Sequence, residues 1–288
     1  MTGQILDSTL ERLGVAPADH RDLMASRPRD TVLRDQIETT ADGIAQTLGQ
    51  RNVRPRLAEP PDGADPFYFA HVCLALLPAV RRYHRDRGIP DEISWATLSA
   101  LASNLARHRR IYGIGGLDGP QWVVRVYRGL VYRLGRLVFE RTELGPQVAA
   151  VRPGYGAADP ALGVHIPPAG PLTPELSDDA FGQVVPFFAR HFPEDVLTVA
   201  HCRSWLLDPQ LADYLPDTSN LVRFARRFRP LGDGDAGDSA IVRWIFEVPN
   251  PAELDTLAPS TTLERAVLGH LQAGHHWRVR LGWLELPH

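Results

Sequence analysis

The chain has 288 residues, 44% of them hydrophobic and 23% charged, a globular mix with room for about two domains, which excludes wholesale disorder. Its 34 acidic side chains nearly balance its 31 basic ones, so no net field draws it onto nucleic acid or a membrane, although local arginine clusters suit a compact anion. Every basic residue is Arg and none is Lys, which excludes a Schiff-base lysine and a phosphate-gripping Walker lysine.

The opening residues lack the basic and apolar regions of a secretory signal, and no apolar run approaches the ~18 residues of a membrane span, so a cytoplasmic location is expected. Residues 4–14, 17–25 and 30–48 carry weak helical patterns separated by Pro and Gly, and Arg51 to Asp65 reads as a loop. A stronger helix follows, with Asp65 as N-cap, Pro66 at the first helical position, a basic last turn and Gly88 as the stop. Pro78 inside it predicts a kink or break. Pro90 to Arg110 repeats the helical spacing and ends on Arg107, His108, Arg109 and Arg110.

After Tyr112 the glycines and Pro120 end the helical pattern. Trp122 to Gly129 and Leu130 to Leu144 are rich in β-branched and aromatic residues and predict strands. Leu162 to Pro167 predicts a short strand. Thr173 as N-cap, Pro174 and Glu175 then start a helix that runs to about Arg190. Val196 to Leu207 predicts a strand, Asp208 to Arg227 mostly helix, Asp233 to Asp238 a flexible acidic loop, and Ile241 to Val248 a strand. Thr261 and Glu264 form a capping box for a helix ending near Ala273, followed by a strand from Trp277 to Leu286. The order predicts an α+β chain, with a helical N-terminal domain over 1–116 and a mixed sheet flanked by helices over 117–288.

Several side chains could carry chemistry. Alternation along the strand containing His201, Cys202 and Ser204 puts the cysteine and serine on one face and the histidine on the other, a poor arrangement for a Cys–His dyad. Cys202 is then a small apolar packer, and Ser204 bonds either substrate or a neighbouring strand. Cys73 and Cys202 sit in unlike contexts and predict free thiols. His275 and His276 are poor metal ligands because adjacent strand residues point apart, so no metal is expected. Glu140 is either the partner of Arg136 or Arg141, or a base that removes an ammonium proton. His165 is either a hydrogen-bonded structural histidine or a proton-transfer group. Asn220, Arg223 and Arg226 form a polar helical face that is either solvated or phosphate-binding.

The strings Tyr132-Arg-Leu-Gly-Arg-Leu-Val-Phe-Glu140, Leu162-Gly-Val-His-Ile-Pro167, Gly170-Pro-Leu-Thr-Pro174, Cys202-Arg-Ser-Trp-Leu-Leu-Asp-Pro209 and Ser219-Asn-Leu-Val-Arg-Phe-Ala-Arg-Arg-Phe228, in this order of elements, resemble bacterial acyltransferases that join a helical N-terminal domain to a GNAT-like C-terminal domain. The resemblance covers roughly residues 60–288 and implies transfer of an acyl group from coenzyme A to the amine of a small molecule or peptide, by direct attack in a ternary complex. It implies that strands near residues 164 and 202 diverge to admit the pantetheine arm, with Val164 and Ile166 beside the reacting carbonyl. The pyrophosphate would rest on N–H groups of Ala169, Gly170, Leu172 and Thr173, and Asn220, Arg223 and Arg226 would hold other phosphates. Glu140 and His165 are the candidate proton acceptors, Ser204 a substrate contact, and Tyr214 the acid for the departing thiolate. The superfamily's phosphate-loop pattern also occurs at Arg110-Ile-Tyr-Gly113-Ile-Gly115, but that string closes a helix, the wrong place for an anion nest. The loop with the right context lacks the consensus and carries prolines, which favours a second reading as a non-catalytic binding module. A thioester hydrolase is a third.

Overall fold

The computed structural model describes residues 3–53, 57, 59–61 and 63–287. The chain divides into two compact units, Met1–Arg133 and Leu134–His288. Unit 1 is helical: α1 (Gly3–Arg12), α2 (Pro17–Ala25), α3 (Thr31–Ala45), α4 (Tyr68–Asp86), α5 (Asp91–Leu98), α6 (Ala100–Tyr112) and α7 (Pro120–Tyr127). Asp65 accepts from the Phe67 N–H at 2.8 Å, but α4 opens only at Tyr68, with Phe67 at the N-cap position and no side-chain cap, so Asp65 and Pro66 lie ahead of the helix that they were expected to start. Pro78 lies inside α4 without ending it. An interior proline costs about 3 kcal/mol, but this helix buries Ala70, Val72, Cys73, Leu76 and Val80 almost completely, and their packing outweighs that cost.

Two expectations change here. The single helix predicted from Pro90 to Arg110 is two, parted at Ser99, whose hydroxyl donates to the Ala96 carbonyl at 2.7 Å and competes with the backbone ladder. The strand predicted from Trp122 to Gly129 is α7. Pro120 opens it, and Val123, Val124 and Tyr127 are buried at helical spacing, so tertiary packing overrides the β-propensity of the valines. The division after Arg133 therefore falls later than the expected boundary at 116/117.

Unit 2 is built on a sheet. Its elements are β1 (Val131–Leu134, where the division falls), β2 (Leu137–Glu143), α8 (Pro146–Val151), β3 (Pro160–His165), α9 (Pro174–His191), β4 (Val199–Ser204), α10 (Asn220–Ala225), β5 (Arg229–Ala236), α11 (Asp238–Phe246), α12 (Thr262–Gln272) and β6 (Arg278–Glu285). The strand order is β1-β2-β3-β4-β6-β5. β2 pairs antiparallel with β3, β3 parallel with β4, β4 antiparallel with β6 and β6 antiparallel with β5. The fold is thus α+β with a mixed sheet, as expected.

The strand predicted from Val196 to Leu207 is shorter, because Trp205–Leu207 closes into a 3-10 turn. The strand predicted from Ile241 to Val248 is α11, in which Ile241, Val242 and Ile245 face one apolar cluster with Trp277. The acidic loop at Asp233 belongs to β5, whose pairing shifts between Leu231 and Asp235. Gly232 and Gly234 there have φ of 62° and 78°, conformations that suit glycine at a bulge. Two of the three predicted caps are present, Thr173 on α9 and the Thr261–Glu264 box on α12.

Arg141 of β2 ties the far end of α9 to the sheet. Its guanidinium lies 2.7 Å from Asp195, donates to Glu194 at 3.3 Å and rests 4.0 Å over Phe192. The Arg141 and Asp195 side chains are only 3% and 2% exposed. Removing one partner leaves a buried charge without its counter-ion, so Arg141→Ala is expected to lower stability by about 3–5 kcal/mol, read as a shift of the urea midpoint.

Candidate active site

The ladder between β3 and β4 contains Leu162↔Ala200 and Gly163↔His201 and goes no further. β3 nevertheless stays paired with β2 to His165, and β4 with β6 to Ser204. Each strand is held on its outer side while the two part on their inner side. The ladder thus ends next to residues 164 and 202, where the resemblance implied a divergence.

One face of the sheet concentrates the chemistry at this fork. Glu140 lies opposite Gly163, and Gly163 opposite His201, which puts the three in one row across β2, β3 and β4. His165, two residues beyond Gly163, shares its face. The His165 Nε2 and Glu140 Oε2 are 2.8 Å apart. Glu140 is 10% exposed at its side chain and His165 36%, so a buried carboxylate stands behind an accessible imidazole. Gly163 makes room for them: a Cβ at that position would lie 3.4 Å from His165 Nε2 and 3.5 Å from the Glu140 Cβ. The structure thus brings two predicted site residues, Glu140 and His165, together.

His201 completes the row. Its Nε2–H donates to the Glu143 carbonyl at 3.2 Å. Burial holds its pKa below the ordinary histidine value, with the nearby His165 adding to the effect and the Glu143 bond and the Glu140 charge opposing it. Cys202, on the opposite face, is buried, and burial pushes its thiol up to about 12. It is therefore no nucleophile near neutral pH.

The loop that follows β3 leads into α9. Val164 is 3% exposed, and Ile166 packs against the cluster of Leu206 and Trp277. Gly170 takes φ 71°, Leu172 is 5% exposed, and the Thr173 hydroxyl accepts from the Leu176 N–H at 3.3 Å. One predicted donor is withdrawn: the Ala169 N–H bonds the Pro167 carbonyl at 2.8 Å, so it closes a tight turn instead of facing an anion. Arg136, considered above only as a partner of Glu140, donates to the carbonyls of Pro167, Gly170 and Pro171.

α10 stands beside the start of α9. Arg227 donates to the Pro174 carbonyl at 3.3 Å and to Asp178 at 2.5 Å. The Glu175 carboxyl is held below its usual range, first by hydrogen bonds from its own backbone N–H and the Thr173 hydroxyl and also by the Arg223 charge. Of the predicted phosphate set, Asn220 opens α10 and Arg223 is exposed toward this end, whereas Arg226 pairs with Asp217 at 2.5 Å. Sequence reasoning missed Arg227 because position i+1 after Arg226 lies off the helical face it was tracking.

Two predicted catalytic residues are engaged in other contacts. The Ser204 oxygen accepts from the Leu206 N–H at 3.1 Å and starts the 3-10 turn. The Tyr214 hydroxyl is 2.8 Å from His270 Nδ1, and its ring lies 5.9 Å from Trp277. His276 pairs with Asp238 at 2.7 Å. Among the described residues no group of three or more His, Cys, Asp or Glu side chains is placed to hold a metal, and no helix is long and apolar enough to cross a membrane. Arg110 to Gly115 closes α6, with Gly113 in the left-handed region, as its context indicated.

The model of the GNAT-like C-terminal domain matches residues 131–284, and that of the N-acyltransferase N-terminal domain matches residues 4–129. The chain belongs to the acyltransferases that combine these two domains. Among solved structures it is similar to an acyltransferase in complex with decanoyl-CoA, 37% identical over 100% of this chain and 89% of that one, with a TM-score of 0.90. An acyltransferase in complex with decanoyl-CoA and teicoplanin is 38% identical over 99% and 88%, with a TM-score of 0.89. An acyltransferase mutant in complex with octanoyl-CoA is 38% identical over 99% and 88%, with a TM-score of 0.90. No curated protein matches. The chain is thus an enzyme of the acyltransferase class, which answers the alternative of a non-catalytic module.

The depressed pKa of His201 has a consequence for stability. Below its ordinary value of 6.5 the unfolded ring takes a proton that the folded ring refuses. The unfolded state then binds more protons, so this contribution is complete above about 6.5 and is lost as pH falls toward the folded value. In urea titrations between pH 8 and pH 5, His201→Asn is expected to lose less stability on acidification than the wild type.

Proposed function

We propose that this enzyme transfers a medium-chain acyl group from coenzyme A to an amine on a small molecule or peptide-derived acceptor, by direct attack in a ternary complex. The observation that carries the reading is the Glu140–His165 pair at the open end of the β3–β4 fork. The similar structures hold octanoyl-CoA, decanoyl-CoA and teicoplanin, which supports an eight- to ten-carbon donor and a glycopeptide-sized acceptor.

An amine is protonated near neutral pH and attacks a thioester only as the free base. With Nε2–H donated to the Glu140 carboxylate, His165 takes the amine proton at Nδ1, and the buried negative charge of Glu140 stabilises the imidazolium. The amine nitrogen then bonds the acyl carbon. Backbone N–H groups on the edge of β3 around Val164 and Ile166 face the oxygen that becomes negative. The C–S bond breaks as the carbonyl re-forms, the thiolate leaves with coenzyme A and recovers a proton from the imidazolium directly or through water, and the new amide nitrogen loses its second proton to solvent. Positioning both reactants in one fork supplies the remainder of the acceleration. The raised thiol of Cys202 argues against an acyl-cysteine route.

His165→Ala is expected to reduce kcat about 10²–10⁴-fold, with decanoyl-CoA affinity retained. Glu140→Gln keeps the hydrogen bond but removes the counter-charge, so its loss should be smaller, about 10- to 100-fold. Thiol release from decanoyl-CoA in the presence of amine acceptors measures both. Independently, decanoyl-CoA at about 100 times its Kd should stabilise the protein by about 2.7 kcal/mol, visible as a rise in Tm. An unchanged Tm with octanoyl- and decanoyl-CoA at millimolar concentration would sink the assignment.

A further inference from the structure

One side chain, Arg136, spans the loop between β3 and α9. Arg136 projects from the turn between β1 and β2 and donates Nη1 to the Pro167 carbonyl at 2.9 Å, Nη2 to that of Gly170 at 3.1 Å, and Nε to that of Pro171 at 2.9 Å. The turn is seated on α9 at Gly135, which has φ 56° and where a Cβ would come 3.1 Å from Asp179 Oδ2 and 3.8 Å from the Ala180 Cα. The seat fixes where the guanidinium starts, and its rigid planar fork fixes where three carbonyls end.

The choice of carbonyls matters for what the loop presents on its other side. In a trans peptide the C=O and the following N–H point in opposite directions. Two of the clamped peptides, Pro167–Pro168 and Gly170–Pro171, have no N–H to present. The third, Pro171–Leu172, turns the Leu172 N–H away from Arg136, immediately before the Thr173 cap and the first turn of α9. These three bonds engage carbonyl acceptors and leave the Leu172 N–H directed to the opposite side, next to the positive end of a helix of 18 residues.

We propose that Arg136 is the positioning residue of the donor site, holding residues 167–171 so that the Leu172 N–H and the start of α9 meet the pyrophosphate of the acyl-CoA. This rests on the reading of the chain as a coenzyme A-dependent acyltransferase. In this loop a proline-stiffened backbone and one guanidinium fork do the work that glycine-rich sequence does in other phosphate loops.

The test compares decanoyl-CoA with decanoyl-pantetheine, which has the same acyl arm and no phosphate, by calorimetric Kd on wild type, Arg136→Ala and Arg136→Lys. The expected result is wild-type preference for decanoyl-CoA, a loss of about tenfold or more in its affinity in both variants, and decanoyl-pantetheine affinity changed less than about twofold. Lysine should fail to rescue, because an ammonium cannot span three carbonyls. Rescue by lysine would mean that charge alone suffices and would overturn the positioning role, as would equal losses for both ligands or no loss for either. If the alanine variant does not fold, the lysine variant, which retains the charge and stem, decides alone by the same comparison. A wild type that binds both ligands equally well removes the pyrophosphate from this loop and overturns the proposal. A wild type that binds neither overturns the coenzyme A reading itself, and the proposal with it.

Discussion

The structure depends on the early end of one parallel ladder. Hydrogen bonding between β3 and β4 ceases after Gly163 and His201, yet neither strand frays, because the antiparallel partners on their outer sides continue to His165 and Ser204. A sheet interior that opened without such support would leave polar backbone groups with no partner on either edge. Here the opening is confined to one edge of each strand. Glu140, His165 and His201 stand where that parallel ladder ends.

Arginine carries the electrostatics of this lysine-free chain, and it does so through shape as much as charge. Arg141 stacks on Phe192 and pairs with Asp195 in the core. Arg227 grips the first turn of α9 and Asp178. Arg136 spans three carbonyls of the preceding loop. A flexible ammonium would match none of these planar, multidentate arrangements equally well. The same fork geometry is used once in the core and twice around the helix end where an anionic donor is expected to rest.

Local chemistry made much of this legible in advance. Thr173 with Pro174, and Thr261 with Glu264, are caps whose side-chain spacing alone specifies a helix start, and both are observed. The short apolar run from Leu162 to Pro167 predicted a strand, and β3 lies there, from Pro160 to His165. What could not be read locally was anything decided by the partner surface. The valines of α7 and the isoleucines of α11 have strand propensity, and only the apolar clusters they face make them helical. The meeting of Glu140 with His165 depends on register across β2 and β3, which one strand's sequence does not contain. Gly163 carried a signal, since a glycine amid Leu162, Val164 and Ile166 marks a close approach. Arg136 carried none, because its three partners are main-chain atoms of another segment.

β5 closes the sheet on one side and lies on the surface along most of its length. Pro230 cannot donate, and Gly232 and Gly234 twist the strand through a bulge. Such a border is a poor template for a strand from another molecule. The irregularity that disguised this segment as a loop in the sequence also discourages the enzyme from growing edge to edge into aggregates, which matters most at the high local concentrations of protein synthesis.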